Sequence, residues 1–197
     1  MIKPIIEGLL LGALLVAVCA IGIRGGAVNM VHLYSQEVQE RCIKAGLITR
    51  KRIKRNSLLF KAICIPGYIA YLLISVYAIN GARGFVECFW QMFLILSIMN
   101  LIDRFLVDEY WVCHTNAWTI PGTEDLKPYI TAEDKRKKWL FGTAGMALIA
   151  AFLAFVMTLF IHNAGDTSSQ HVKGRIPRGL PRLAPEDKLI RRRPRDG

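Results

Sequence analysis

WLFGTAGMALIAAFLAFVMTLFI, residues 139–161, runs for twenty-three residues without a charged side chain. A bilayer's hydrocarbon core is about 30 Å thick and takes about 20 apolar residues to cross as a helix. Inside it every backbone N–H and C=O must find a partner within the segment, which a helix provides and an open strand does not. The stretch reads as a membrane-spanning helix. Thr143, Ala147 and Ala151 repeat small side chains along it at four-residue spacing, a pattern that lets two membrane helices approach closely.

Working outward, three more stretches have the length and composition of spans. Residues 85–107 carry Glu87, Gln91, Asn100, Asp103 and Arg104; residues 57–79 carry Lys61 near the start and Pro66-Gly67 inside. Residues 5–23 are interrupted only by Glu7 and hold Gly8-Leu-Leu-Leu-Gly12, a GxxxG packing motif with Ala13 and Ala17 beyond it. A cleaved signal peptide is the alternative for this first stretch, since Val18-Cys19-Ala20 loosely matches a cleavage site. Its basic flank is Lys3 alone, however, and cleavage would leave a strongly basic segment outside. The expectation is an all-α polytopic membrane protein, with four transmembrane helices in residues 1–162 and a basic tail at 163–197.

Composition agrees. The 197 residues are 53% hydrophobic and 21% charged with a formal net charge of +11, and mean hydropathy is +0.32 at a pI near 9.7. A positive hydropathy beside a large positive charge means that apolar and basic residues are segregated along the chain. Disorder of the whole chain and collagen-like composition are excluded.

Basic residues in short loops set orientation. Arg24, Arg41, Lys44, Arg50, Lys51, Arg52, Lys54 and Arg55 separate the first two spans, and Lys127, Lys135, Arg136, Lys137 and Lys138 the last two. The middle connection has only Arg83, so thirteen basic residues stand against one. Both larger loops are expected in the cytoplasm, with the chain in the plasma membrane. The tail, rich in Pro, Arg, Gly and Ser, opposes this with nine basic residues, but most lie too far from the last span to steer insertion. It reads as disordered.

In the first loop, Met30, Val31, Tyr34, Val38, Cys42 and Ala45 form one stripe of an amphipathic helix from Val28 to Ala45. Glu37 with Arg41 and Glu40 with Lys44 are supporting i,i+4 pairs. Gly46 is placed to end the helix and Thr49 to cap the next. Val31, Tyr34 and Val38 are expected to face lipid or a partner, with the basic end on anionic headgroups. These charges also satisfy the positive-inside rule, so no nucleic-acid partner is inferred. The second loop, DEYWVCHTNAWTIPGTEDLKPYITAEDKRKKW, has a turn at Pro121-Gly122, a helix stop at Pro128 and a capping-box variant at Thr131–Asp134. With Tyr110, Trp111, Trp118 and Trp139 suited to the membrane interface, it reads as a structured interfacial loop.

Ionisable groups within a span need a partner or a purpose. On an ideal helix Asn100, Asp103, Arg104 and Asp108 fall within about 140° of arc. Lys61 shares their depth, so an Asp103–Lys61 or Asp103–Arg104 pair is the expected compensation. The competing reading is a polar pocket opening to the cytoplasm. Glu109 and His114 follow at the surface and are weak candidates for acid–base chemistry.

Cys19, Cys42, Cys64, Cys88 and Cys113 show no metal-ligand spacing, and no Walker loop, GxGxxG, HExxH or GxSxG occurs. No catalytic residue, cofactor or metal is therefore expected. The best-supported expectation is a non-enzymatic accessory or scaffold protein that presents a cytoplasmic face to a protein partner, a second copy or anionic lipid. A small transporter or channel component using the polar face of span three is the alternative, as is an interfacial enzyme acting on lipid.

Overall fold

In the computed structural model, which describes the backbone of residues 2–173 and the side chains of residues 2–161, the described residues are helical and contain no strand. Four helical stretches, Ile2–Ile23, Arg50–Ile79, Phe85–Val112 and Ala132–Ile161, are long and apolar enough to cross a membrane. Helix α1 is Ile2–Ile23; α2, Gln36–Lys44, lies in the first loop. Span two is α3, Arg50–Leu73, continued by a π-helical turn at Ile74–Ile79, and it passes through Pro66 without a break. Span three is α4, Phe85–Ile102, continued by a π-helical stretch at Asp103–Val112. Span four opens with α5, Ala132–Lys137, turns through a π segment at Lys138–Gly142 and continues as α6, Thr143–Lys173. That helix runs past the boundary expected at residue 162. The rest of the tail expected to be disordered, 174–197, lies outside the described residues.

Three spans overrun their apolar stretches, and all three do so at the end where the larger loops lie. The added turns are residues 50–56, 108–112 and 132–138. Loss of hydropathy does not stop a helix; capping does. Thr49 accepts a hydrogen bond from the Arg52 amide at 3.3 Å, and Thr131 forms a reciprocal capping box with Asp134.

Spans one and three run parallel in close contact. A Cβ on Gly8 would lie 2.8 Å from Ile98 Cβ, and one on Gly12 would lie 3.2 Å from Ile102 Cβ. The GxxxG motif thus serves a seam within the chain, admitting β-branched isoleucines against bare backbone. In span four the small-residue stripe does not match: Ala150 and Ala154 are buried, while Thr143 is exposed. At the far end, Glu7 is buried, and Asn80 donates to its carboxylate at 2.9 Å while the Tyr71 hydroxyl donates to its carbonyl at 2.8 Å.

The two larger loops fold together as one headpiece. Its core takes Met30, Val31, Tyr34, Val38 and Cys42 from the first loop and Trp118, Ile120 and Tyr129 from the second, closed below by Cys19, Ile53, Val107 and Val112 from three spans. This corrects the expectation for Val31, Tyr34 and Val38. They are buried inside the chain, at 0%, 8% and 1% exposure, and are not a lipid- or partner-facing surface. The stripe is real, but the second loop covers it. The single helix expected from Val28 to Ala45 is instead a 3₁₀ turn, Ala27–Leu33, an extended link at Tyr34 and Ser35, and α2. Met30, Val31, Tyr34, Val38 and Cys42 stay inward across the kink, while Ala45 at the end of the stripe is exposed. Helix α2 ends in a Schellman motif: Gly46 adopts φ +72°, and Leu47 and Gly46 donate to the Cys42 and Ile43 carbonyls at 3.0 Å.

Candidate functional site

The Tyr34 hydroxyl is the main polar bond between the two loops. It donates to the Trp118 carbonyl at 2.5 Å, and its ring meets Tyr129 edge-on at 5.0 Å. Burial pushes the Tyr34 hydroxyl's pKa well above its usual range, so it remains a donor. The Tyr129 hydroxyl accepts from the Ile120 amide at 3.3 Å and lies 2.9 Å from Thr123 Oγ1, which donates to the Ile120 carbonyl. Trp118 stands perpendicular to Trp111 at 5.6 Å. Around the rim, Arg41 makes a two-point contact with Asp125 at 3.2 and 3.4 Å.

Beneath this lid lies a cavity of about 550 Å³. Its apolar wall comes from Leu15 and Cys19 of span one, Phe60 of span two, Val107 and Val112 of span three, and Trp118 of the lid. Its polar side is formed by Tyr34, Asp103, Asp108, Asp134, Lys137 and Lys138. Asp108 is buried and ion-paired with Lys138, so spans three and four are joined by a charge-assisted bond in the cavity wall. Asp134 caps α5, and Lys137 pairs with Glu133 at 2.9 Å. Asp103 takes part in none of the ion pairs formed among the described residues. Apolar walls with a few convergent polar groups are the usual composition of a small-molecule site.

The five residues expected as one intramembrane cluster are dispersed. Asp103 and Asp108 line the cavity, but Arg104 does not. Arg104 is buried against span four, with its guanidinium 4.1 Å from the centroid of the Trp139 ring and one nitrogen donating to the Lys138 carbonyl. Successive residues on a helix point about 100° apart, which sends Asp103 and Arg104 to different neighbours. Lys61 is exposed and lines a separate groove, and Asn100 is half-buried outside the cavity. Neither the Asp103–Lys61 nor the Asp103–Arg104 ion pair forms. Of the surface candidates, Glu109 pairs with Lys135 outside the cavity. His114 is exposed, with Nδ1 2.7 Å from the Glu109 carbonyl and its ring stacked on Tyr110. Neither shares a site with Asp103.

Tyr34, Asp134, Lys137 and Lys138 are cavity residues that the sequence assigned to other tasks: Tyr34 to an outward stripe, Asp134 to a helix cap, and the two lysines to the orientation signal. Trp118 was placed at the interface and is instead buried in the lid. Among the described residues, no three His, Cys, Asp or Glu side chains converge on a metal position. Comparison with protein-family models, curated proteins and solved structures finds no match for the chain.

Proposed function

We propose that the chain is a non-enzymatic membrane protein that holds an amphiphilic small molecule beneath a cytoplasmic headpiece. The observation that carries this reading is the cavity of about 550 Å³, apolar on one side and lined by Asp103, Tyr34 and the Asp108–Lys138 pair on the other. The apolar part of a ligand would rest against Leu15, Cys19, Phe60 and Val107, and its polar end would reach Asp103. Span three's polar face thus serves a ligand. The apolar stripe that favoured a docking scaffold is used up inside the headpiece, which shifts the balance from a protein partner to a small molecule. The cytoplasmic assignment rests on the thirteen basic residues of the larger loops against one in the middle connection.

The test is native mass spectrometry of the full chain released from mild detergent, comparing wild type with the cavity-filling variant Val107→Trp. A retained amphiphile that is lost in the variant, while amides of the headpiece stay protected from hydrogen exchange, supports the proposal. Equal retention by both proteins, or none by the wild type, overturns it. For sidedness, Ala45→Cys is expected to react with a membrane-impermeant maleimide only after permeabilisation; labelling in intact cells would reverse the orientation.

A further inference from the structure

The loop end carries a second concavity, separate from the cavity. A groove of about 430 Å³ runs between the start of span two and the first loop. Lys54, Ser57, Leu58 and Lys61 of span two form one wall, and His32 and Gln39 the other; no acidic residue lines it. Lys54 and Lys61 are both exposed, and neither joins an ion pair among the described residues. The spacing matters, because positions separated by three, four and seven residues fall on one helical face. The walls are held in register by Asn56, which donates to the Asn29 carbonyl at 3.0 Å, and by His32 packing on the Phe60 ring at 5.4 Å.

Depth identifies the occupant. Span two is 30 residues long and ends at Ile79. Counting back about 20 residues for the hydrocarbon core puts its edge beside Lys61. Lys54 then lies about 10 Å farther out, within the headgroup layer. Leu58, at 69% exposure, lies between the two lysines, where an acyl chain would leave the groove for the bilayer.

We infer that this groove binds the phosphate headgroup of an anionic phospholipid, gripped by Lys54 and Lys61. A lipid satisfies both requirements of the site, a negative charge between two unpaired ammonium groups and an apolar chain beside Leu58. Free phosphate satisfies only the first. The inference is independent of what the cavity holds.

The test reconstitutes the full chain in nanodiscs of phosphatidylcholine doped with phosphatidylglycerol and reads bound lipid by native mass spectrometry. Wild type is expected to retain phosphatidylglycerol over phosphatidylcholine. Lys54→Gln with Lys61→Gln should lower the apparent affinity by about 30-fold, since each basic group at a membrane surface contributes a factor of about five. Lys54→Arg with Lys61→Arg should stay close to wild type, which separates loss of charge from loss of fold. The control is Lys51→Gln with Arg52→Gln, which removes two charges from the same helix outside the groove. An equal fall in that control would mean diffuse attraction and overturn the site, as would no preference in the wild type. Displacement of the lipid by millimolar inorganic phosphate would also overturn it in favour of a free-anion site.

Discussion

Between spans one and three the smallest side chains make the seam, whereas in the headpiece the largest ones fill the core. Gly8 and Gly12 lie against Ile95, Ile98 and Ile102, while Tyr34, Trp118 and Tyr129 pack on one another. The solvents differ, and so does the driving force. Lipid tails are as apolar as leucine, so membrane helices gain from close approach and dispersion rather than from removing surface from water. The headpiece stands where water competes, and burial of large apolar surface drives its folding. The two cores should therefore fail under opposite substitutions, the headpiece when volume is removed and the seam when volume is added.

Trp118→Ala is the severest test on the headpiece side. Trp118 is 2% exposed and touches both Tyr34 and Trp111. Its removal should cost about 3–5 kcal/mol, the range for large aromatic-to-alanine changes in a packed core. Hydrogen exchange is expected to speed up in residues 27–45 and 118–130 and to stay slow along Gly8–Gly12 and Ile95–Ile102. Loss of protection in all four segments would show one cooperative core rather than two.

Gly12→Leu is the reverse experiment. Ile102 already occupies the space a Cβ would need, so α1 and α4 must separate, at a cost of about 1–3 kcal/mol. Disulfide trapping between cysteines introduced at Pro4 and Leu94, which line one hollow between the two spans, should then weaken, while the headpiece exchange pattern persists. Undiminished trapping would mean that the seam tolerates volume and that the contrast with the headpiece is wrong.

Much of this was legible in the sequence, and the failures share a cause. The four spans, the Gly46 and Thr49 caps and the Thr131 capping box depend on residues close together in sequence, and local rules reached them. The Met30–Cys42 stripe was found with the wrong partner, because an apolar face looks the same whether lipid, another protein or a distant loop of the same chain covers it. The polar face of span three failed similarly. Placing Asp103, Arg104 and Asp108 within one arc was sound for an ideal helix, but the structure winds Asp103–Val112 as a π-helix and brings Lys138 and Trp139 alongside. Tertiary partners decide what such side chains do, and sequence spacing does not name them.

The next largest effect comes from pH, through a histidine on the headpiece side. His32 sits on Phe60 with both ring nitrogens shut off from water and lacking a hydrogen-bond partner. Burial lowers its pKa from the ordinary value of 6.5, outweighing the nearby Asn29 backbone, which raises it, and Lys61 lowers it further. Lys54 also faces it across the groove. With the folded pKa below the unfolded one, the unfolded chain binds more protons between the two values. Stability is then full above about pH 6.5 and falls as pH drops below it. The fall in denaturation midpoint between pH 7.5 and 5.5 should be larger for wild type than for His32→Phe. A midpoint that rises on acidification would reverse the sign.

The smallest expected effect asks whether the rim of the headpiece matters once its core is formed. Arg41 and Asp125 join the two loops, but their side chains are 43% and 61% exposed, so water and salt compete for both charges. An exposed pair of this kind is worth about 0.2–1 kcal/mol, far below the aromatic core it encircles. Arg41→Ala should therefore lower the midpoint slightly, and the difference should shrink further in high salt. Asp125→Ala should behave the same way, and the double variant should lose no more than the larger single loss plus a few tenths of a kcal/mol, since the second change removes a charge already without its partner. A loss approaching that of Trp118→Ala would mean that the loops are held by their charges, and that the aromatic core only fills the space those charges enclose.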